Sequence, residues 1–238
     1  MRKRDHLKLS DDGKTVDSCQ KKYKGAVVIP NGVTVIGRYA FWECFYIATI
    51  IIPDSVTMIG NGAFRGCSSL TSIIIPNSVT IIGDDAFYGC RSLTSIVIPE
   101  SVTEIGSHVF ERCTSLTSVD IPNSVKKIGR HAFRGCRGLT SVVIPDCVEE
   151  IGSYTFRGCT SLTSINMPKS VNKIEGHPFG RCTSLKEIHL KNMIPEDLFN
   201  NAFYGLNKSK VTLFVPLDTA ETYRKHRFYK RFKNIIEE

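Results

Sequence analysis

The sequence predicts an α/β repeat built as a solenoid, and three observations carry that prediction. Prolines fall at Pro30, Pro53, Pro76, Pro99, Pro122, Pro145 and Pro168, a spacing of 23 residues. Glycines from Gly37 to Gly152, phenylalanines from Phe41 to Phe179 and cysteines from Cys44 to Cys182 keep the same interval. Four residue types held in register over seven units mark a chain of stacked supersecondary units, none of which can bury its apolar side alone.

Each unit opens with L-T-S-I-x-I-P. In the copy ending at Pro99, Leu93, Ile96 and Ile98 alternate with Ser95 and Val97, the period of a strand with one buried face. Pro99 closes it, having no N–H for a parallel ladder. A second short apolar stretch, V-x-x-I-G, leads to Gly106, where the chain turns a corner and a residue free to adopt positive φ is expected. Phe110 and Cys113 follow on a short helical or 3₁₀ turn that fills the wedge between layers. Stacking at the strand spacing of about 4.8 Å aligns the Phe, Leu and Ile positions into columns.

The composition suits a folded domain: 238 residues, 42% hydrophobic and 23% charged. No apolar run approaches the roughly 20 residues of a membrane-crossing helix. The start, MRKRDHLKLSDDGK, is basic but has no apolar segment behind it; the expectation is a cytoplasmic chain or one whose leader lies outside this sequence. The formal charge of +8 is concentrated at the ends. Residues 1–24 hold eight Lys and Arg against four acids, residues 191–238 nine against six, and the centre fourteen against thirteen. Basic ends on a neutral middle fit solvated caps and weigh against a nucleic-acid groove.

The unit IPNSVTIIGDDAFYGCRSLTSIVIP resembles the BspA-like, or Treponema-type, leucine-rich repeat over roughly residues 26–190, and its first segment follows L-x-x-L-x-L. The resemblance implies a right-handed leucine-rich-repeat solenoid with parallel strands on the concave face. LKLSDDGKTVDSC is similar to the opening hairpin of such proteins, and LFVPLDTAETYRKHRFYKRFKNIIEE to their closing segment. The expected organisation is a capping hairpin over 1–25, repeats over 26–190, and a degenerate last repeat with a capping helix over 191–238. Physically, the hairpin turns at Asp12-Gly13. Asp218 and Glu221 have capping-box spacing, and Ala220, Tyr223, Phe228, Phe232 and Ile235 share one helical stripe. Glu175 in place of the corner glycine, Lys191 in place of proline and a late Phe203 predict a distorted penultimate rung.

No nucleophile elbow, phosphate loop, dinucleotide fingerprint or H-E-x-x-H is present, so no enzyme, cofactor or metal is expected. The cysteine column lacks the close pairs of zinc sites and reads as buried apolar thiols, with Cys19 and Cys147 expected to be exposed. His108 and His131, one rung apart with Asp85 before them, read as surface residues. Glu104, Lys127, Glu150 and Lys173 alternate in sign along one column, favouring in-register stacking.

The leading binding surface is the outward strand positions Ile51, Ile74, Val97, Asp120, Val143, Asn166 and His189, flanked by serines from Ser72 to Ser164. Its first half is apolar, as interfaces are. A secondary basic edge comprises Arg65, Arg91, Arg134, Arg137 and Arg157, with no aromatic row interleaved to stack bases. The expected function is a monomeric, non-catalytic scaffold that binds a protein partner through the sheet face. The resemblance adds adhesion at a secreted or cell-surface location. Two alternatives stay open: an intracellular interaction module or effector, and a polyanion binder using the arginine edge and basic tail, its ligand a sulfated glycan or nucleic acid.

Overall fold

The computed structural model describes residues 6–191 and 202–238. The chain winds into a solenoid in which each turn adds one strand to a parallel stack. Ser95–Val97 pairs with Ser118–Asp120, and Ser141–Val143 with Ser164–Met167, each residue meeting its equivalent 23 positions on. Glu187–Leu190, Thr212–Val215 and Asn234–Glu237 extend the stack in parallel. The second apolar stretch forms its own ladder of two-residue strands, including Glu104–Ile105, Lys127–Ile128, Glu150–Ile151 and Lys173–Ile174. As the alternation predicts, Leu93, Ile96 and Ile98 are buried while Ser95 and Val97 face solvent.

The third side of each turn differs from expectation. The segment carrying Phe110 and Cys113 is a run of hydrogen-bonded turns and not a helix. His108, Phe110 and Arg112 donate their backbone N–H groups to the carbonyls of Arg130, Ala132 and Arg134 on the next rung. Alternate residues thus tie this side to the neighbouring turn much as a strand would. The left-handed backbone it needs falls at His108 and Arg112 (φ 59° and 62°) and at equivalents such as Asp85, His131 and Tyr154.

The corner glycines therefore serve another purpose. Gly106, Gly129 and Gly152 have no positive φ. A Cβ on Gly129 would lie 2.6 Å from the backbone carbonyl of Gly106, so the rungs touch main chain to main chain there.

Inside, Phe41, Phe64, Phe87, Phe110, Phe133, Phe156, Phe179 and Phe203 form one stack with centroids 5.2–5.5 Å apart. All are fully buried. Phe203, one residue late in sequence, still sits on Phe179; residues 192–201 of the expected distorted rung lie outside the described residues. Hydroxyls tie successive turns: Ser78, Ser101 and Ser124 donate to the carbonyls of Val56, Val79 and Val102, and Thr94, Thr117 and Thr140 to those of Thr71, Thr94 and Thr117.

At the N-terminal end Leu7–Leu9 and Thr15–Cys19 form the antiparallel hairpin, with Gly13 at φ 68°. At the other end the apolar stripe is buried as expected, but one helix does not carry it. Helix Ala220–Lys225 is followed by a 3₁₀ turn at Tyr229–Arg231 and the strand Asn234–Glu237. The capping box is absent: Asp218 is left-handed, and the N–H of Ala220 donates to Glu237 Oε1 at 2.8 Å.

Candidate binding surfaces

Strand alternation places Ile51, Ile74, Val97, Asp120, Val143 and Asn166 outward on one face. Ile74 is 83% exposed and Val97 66%. Val28, opposite Ile51 in the ladder, extends the strip by one rung. Its V-V-I alternation was the available signal, in a first repeat that lacks L-T-S. Asp120 interrupts the strip after Val97. His189 departs from the pattern of open display: its ring stacks on Phe214 at 4.4 Å, and its Nδ1 lies 2.8 Å from the Glu238 carboxylate. That end of the face is committed to internal contacts.

The arginine edge divides. Arg91, Arg134, Arg137 and Arg157 line one groove of about 650 Å³, joined by Arg112 and Arg181, which sequence reading did not select. Arg65 lies outside it, paired with Asp85 and stacked 4.0 Å over Tyr88. Two aromatic residues do share this edge's column, as isolated partners of cations and not as a row on which bases could stack. Trp42 and Tyr88 occupy the same repeat column as Arg65, Arg134 and Arg157, and Arg112 also lies 5.9 Å from the Tyr88 ring. Lys21 sits 3.7 Å over Trp42. The rings hold cations in place.

One carboxylate in that column organises its surroundings. Glu111, 3% exposed, stands where other repeats carry Arg, Tyr, Trp or, at Gly180, Gly. Its Oε2 is 2.6 Å from His108 Nδ1 and 3.5 Å from His131 Nδ1, and its Oε1 is 3.2 Å from Arg134. Both nitrogens of His131 are buried without a hydrogen bond. Burial, reinforced by the nearby His108 charge, holds the His131 pKa below the usual imidazole value. Among the described residues His108, Glu111 and His131 are the group whose metal-ligating atoms come closest together, within 4.8 Å. Arg134, and Arg112 at 3.9 Å, share the carboxylate and oppose a second cation there.

The cysteine column is buried and unbridged. Each thiol from Cys67 to Cys182 donates to the carbonyl of a phenylalanine on the preceding turn, at 3.1–3.2 Å. Burial raises the thiol pKa, to about 12 at Cys182. Cys19, expected to be exposed, is buried under the first rung against Cys44; Cys147 is exposed. The Glu104–Lys127 and Glu150–Lys173 contacts form at 3.2 and 3.3 Å, and Glu175 joins Lys173 at 3.2 Å. Among the described residues no helix is long and apolar enough to cross a membrane.

The sequence profile of the BspA type leucine rich repeat region matches in six copies, over residues 19–140 and 103–233. A leucine-rich-repeat protein of T. pallidum is 34% identical, with 81% of this chain and 88% of that one covered and a TM-score of 0.65. One from Bacteroides ovatus is 28% identical over 98% of this chain and 70% of that one, with a TM-score of 0.55. The pneumococcal antigen PcpA, 19% identical over 90% and 67% with a TM-score of 0.50, shares the fold. No curated protein matches. With the repeat profile spanning most of the chain, and the strand ladder and phenylalanine stack following its period, the chain belongs to the BspA-type leucine-rich-repeat family.

Proposed function

We propose that this chain is a non-catalytic recognition scaffold that binds a protein partner through its exposed sheet face, in the service of adhesion. The observation that carries the reading is the strip Val28, Ile51, Ile74 and Val97. These are four large aliphatic side chains on successive rungs, each more than half exposed, on a face that the stack itself leaves uncovered. The second ladder also shows Ile81, but its column turns to alternating charge from Glu104 onward, whereas this strip holds four exposed aliphatics in succession, and contiguous apolar surface of that kind is organised for contact. Asp120 and Asn166 beyond the strip supply a polar rim, the composition of a recognition interface. Apart from the cluster around Glu111, the recurring polar residues form ladders along the stack, like Glu104–Lys127 and Glu150–Lys173, and do not converge on one atom, which suits a scaffold better than a catalyst.

Affinity capture with the intact chain at low and high salt, beside the Ile74→Asp/Val97→Asp variant, tests this. A partner retained at high salt and lost in the variant supports the sheet face. Partners that appear only at low salt and ignore the variant refute it.

A further inference from the structure

The arginine groove is a second exposed surface, of different chemistry from the sheet face. It crosses five successive turns, from Arg91 to Arg181, a length of about 19 Å at the strand spacing. Six arginines line it against one carboxylate, Glu111, which is already shared by Arg134 and Arg112. Among the described residues no carboxylate pairs with Arg91, Arg137, Arg157 or Arg181. Guanidinium groups that converge without counter-charges repel one another, and a bound anion relieves that repulsion while accepting their forked hydrogen bonds.

We propose that this groove binds a linear sulfated polysaccharide lying along the stack. The rest of the lining selects among polyanions. It consists of Thr114, Thr160, Gly135 and Gly158, with no aliphatic or aromatic side chain. A peptide finds no apolar pocket for its side chains there. A single-stranded nucleic acid finds no free ring for its bases, since the nearby Tyr88 and Trp42 already carry Arg65 and Lys21. Sulfate esters and sugar hydroxyls need only guanidinium forks and threonine hydroxyls.

The test is calorimetric titration of the full chain with a defined heparin oligosaccharide at about 0.15 M salt. Its chemically desulfated form, a single-stranded DNA of equal charge and polyglutamate serve as comparison ligands. Arg137→Gln/Arg157→Gln, and separately the exposed pair Arg91→Gln/Arg181→Gln, should weaken heparin binding about tenfold or more and lower its salt slope by about 2. Glu111→Gln, isosteric and one negative charge fewer, should tighten it. Lys230→Gln/Lys233→Gln, the same charge removed from the C-terminal cap, should change it less than about twofold. Absence of heparin binding overturns the proposal. So does equal loss in the cap variant, or DNA or polyglutamate binding as tightly as heparin. Unchanged melting temperatures certify the folding of the arginine and lysine variants. A lower melting temperature is expected for Glu111→Gln, which breaks buried charge pairs, so its tightening is read well below that temperature and a failure to tighten counts against the proposal.

Discussion

The thiol of Cys113 lies 3.2 Å from the carbonyl oxygen of Phe87, 26 residues earlier, and that same oxygen accepts the backbone N–H of Cys90 at 3.1 Å. The pair recurs along the stack, so each cysteine is at once a small apolar filler and a weak donor that ties its turn to the one before. This explains why a reactive residue type recurs seven times without forming a bridge. The thiols point along the stack at carbonyls and not at one another.

Thiol reactivity follows from that placement. The thiolate is the nucleophile, and eight of the nine cysteines are buried out of a reagent's reach, Cys44 among them although its contact with Cys19 holds its pKa below the usual thiol value. Titration of the native chain with a disulfide reagent should give a single fast equivalent, from Cys147. Cys147→Ser should abolish it, and all remaining thiols should react together on unfolding. A second fast equivalent in the native state would contradict the burial of the Cys19–Cys44 pair.

Two glycine classes separate by substitution. Gly129→Ala drives a Cβ into the Gly106 carbonyl, backbone against backbone, and should cost about 2 kcal/mol or more. Gly135, at φ 71°, has nothing closer than the Arg112 side chain at 3.9 Å. Gly135→Ala should cost only the strain of a left-handed residue, about 1 kcal/mol, a conformation that Arg112 and Arg181 already adopt at equivalent positions. Denaturant melts of the two variants rank them directly.

What recurs every 23 residues was legible in the sequence: the phenylalanine stack, the buried thiols, the Glu104–Lys127 contact and the outward aliphatic strip. Features that break the period were not. Glu111 occurs once in its column, and only the fold shows it buried between two histidines and two arginines. The tail's apolar spacing fits a helix, yet Ile235 is buried from a strand, because parallel pairing with Thr212–Val215 satisfies the backbone there. Trp42 and Tyr88 stood in the arginine column all along. That their rings stack against Lys21 and Arg65 depends on contacts between neighbouring rungs, which only the fold shows. The corner glycines showed that a position was constrained without showing whether conformation or close approach constrained it.

His131 makes stability depend on pH. Its folded pKa lies below its unfolded value of about 6.5. Burial and the facing His108, Arg134 and Arg130 lower it, and Glu111 partly offsets them. Between the two values the unfolded chain binds more protons, so stability rises with pH through that window and is lost as pH falls below about 6.5. The melting temperature should therefore drop on acidification from pH 7 to 5. His131→Asn, whose side chain tolerates the left-handed backbone at φ 59°, should drop less over the same range. Parallel pH profiles for the two proteins would remove His131 from this account.

Ile73 and Ile74 are neighbours on one rung with opposite duties. Ile73 is 6% exposed and packs into the core, whereas Ile74 is 83% exposed on the sheet face. Ile73→Ala should lose about 2–5 kcal/mol, the cost of emptying a buried aliphatic site. Ile74→Ala removes almost no buried surface and should stay within about 0.5 kcal/mol of the parent. Equilibrium denaturation of both measures the alternation that defines the display face. A near-neutral Ile74→Ala makes a loss of partner in the Ile74→Asp/Val97→Asp variant a loss of contact and not of fold. Comparable losses at both positions would mean that Ile74 is covered by the chain itself and is unavailable to any partner.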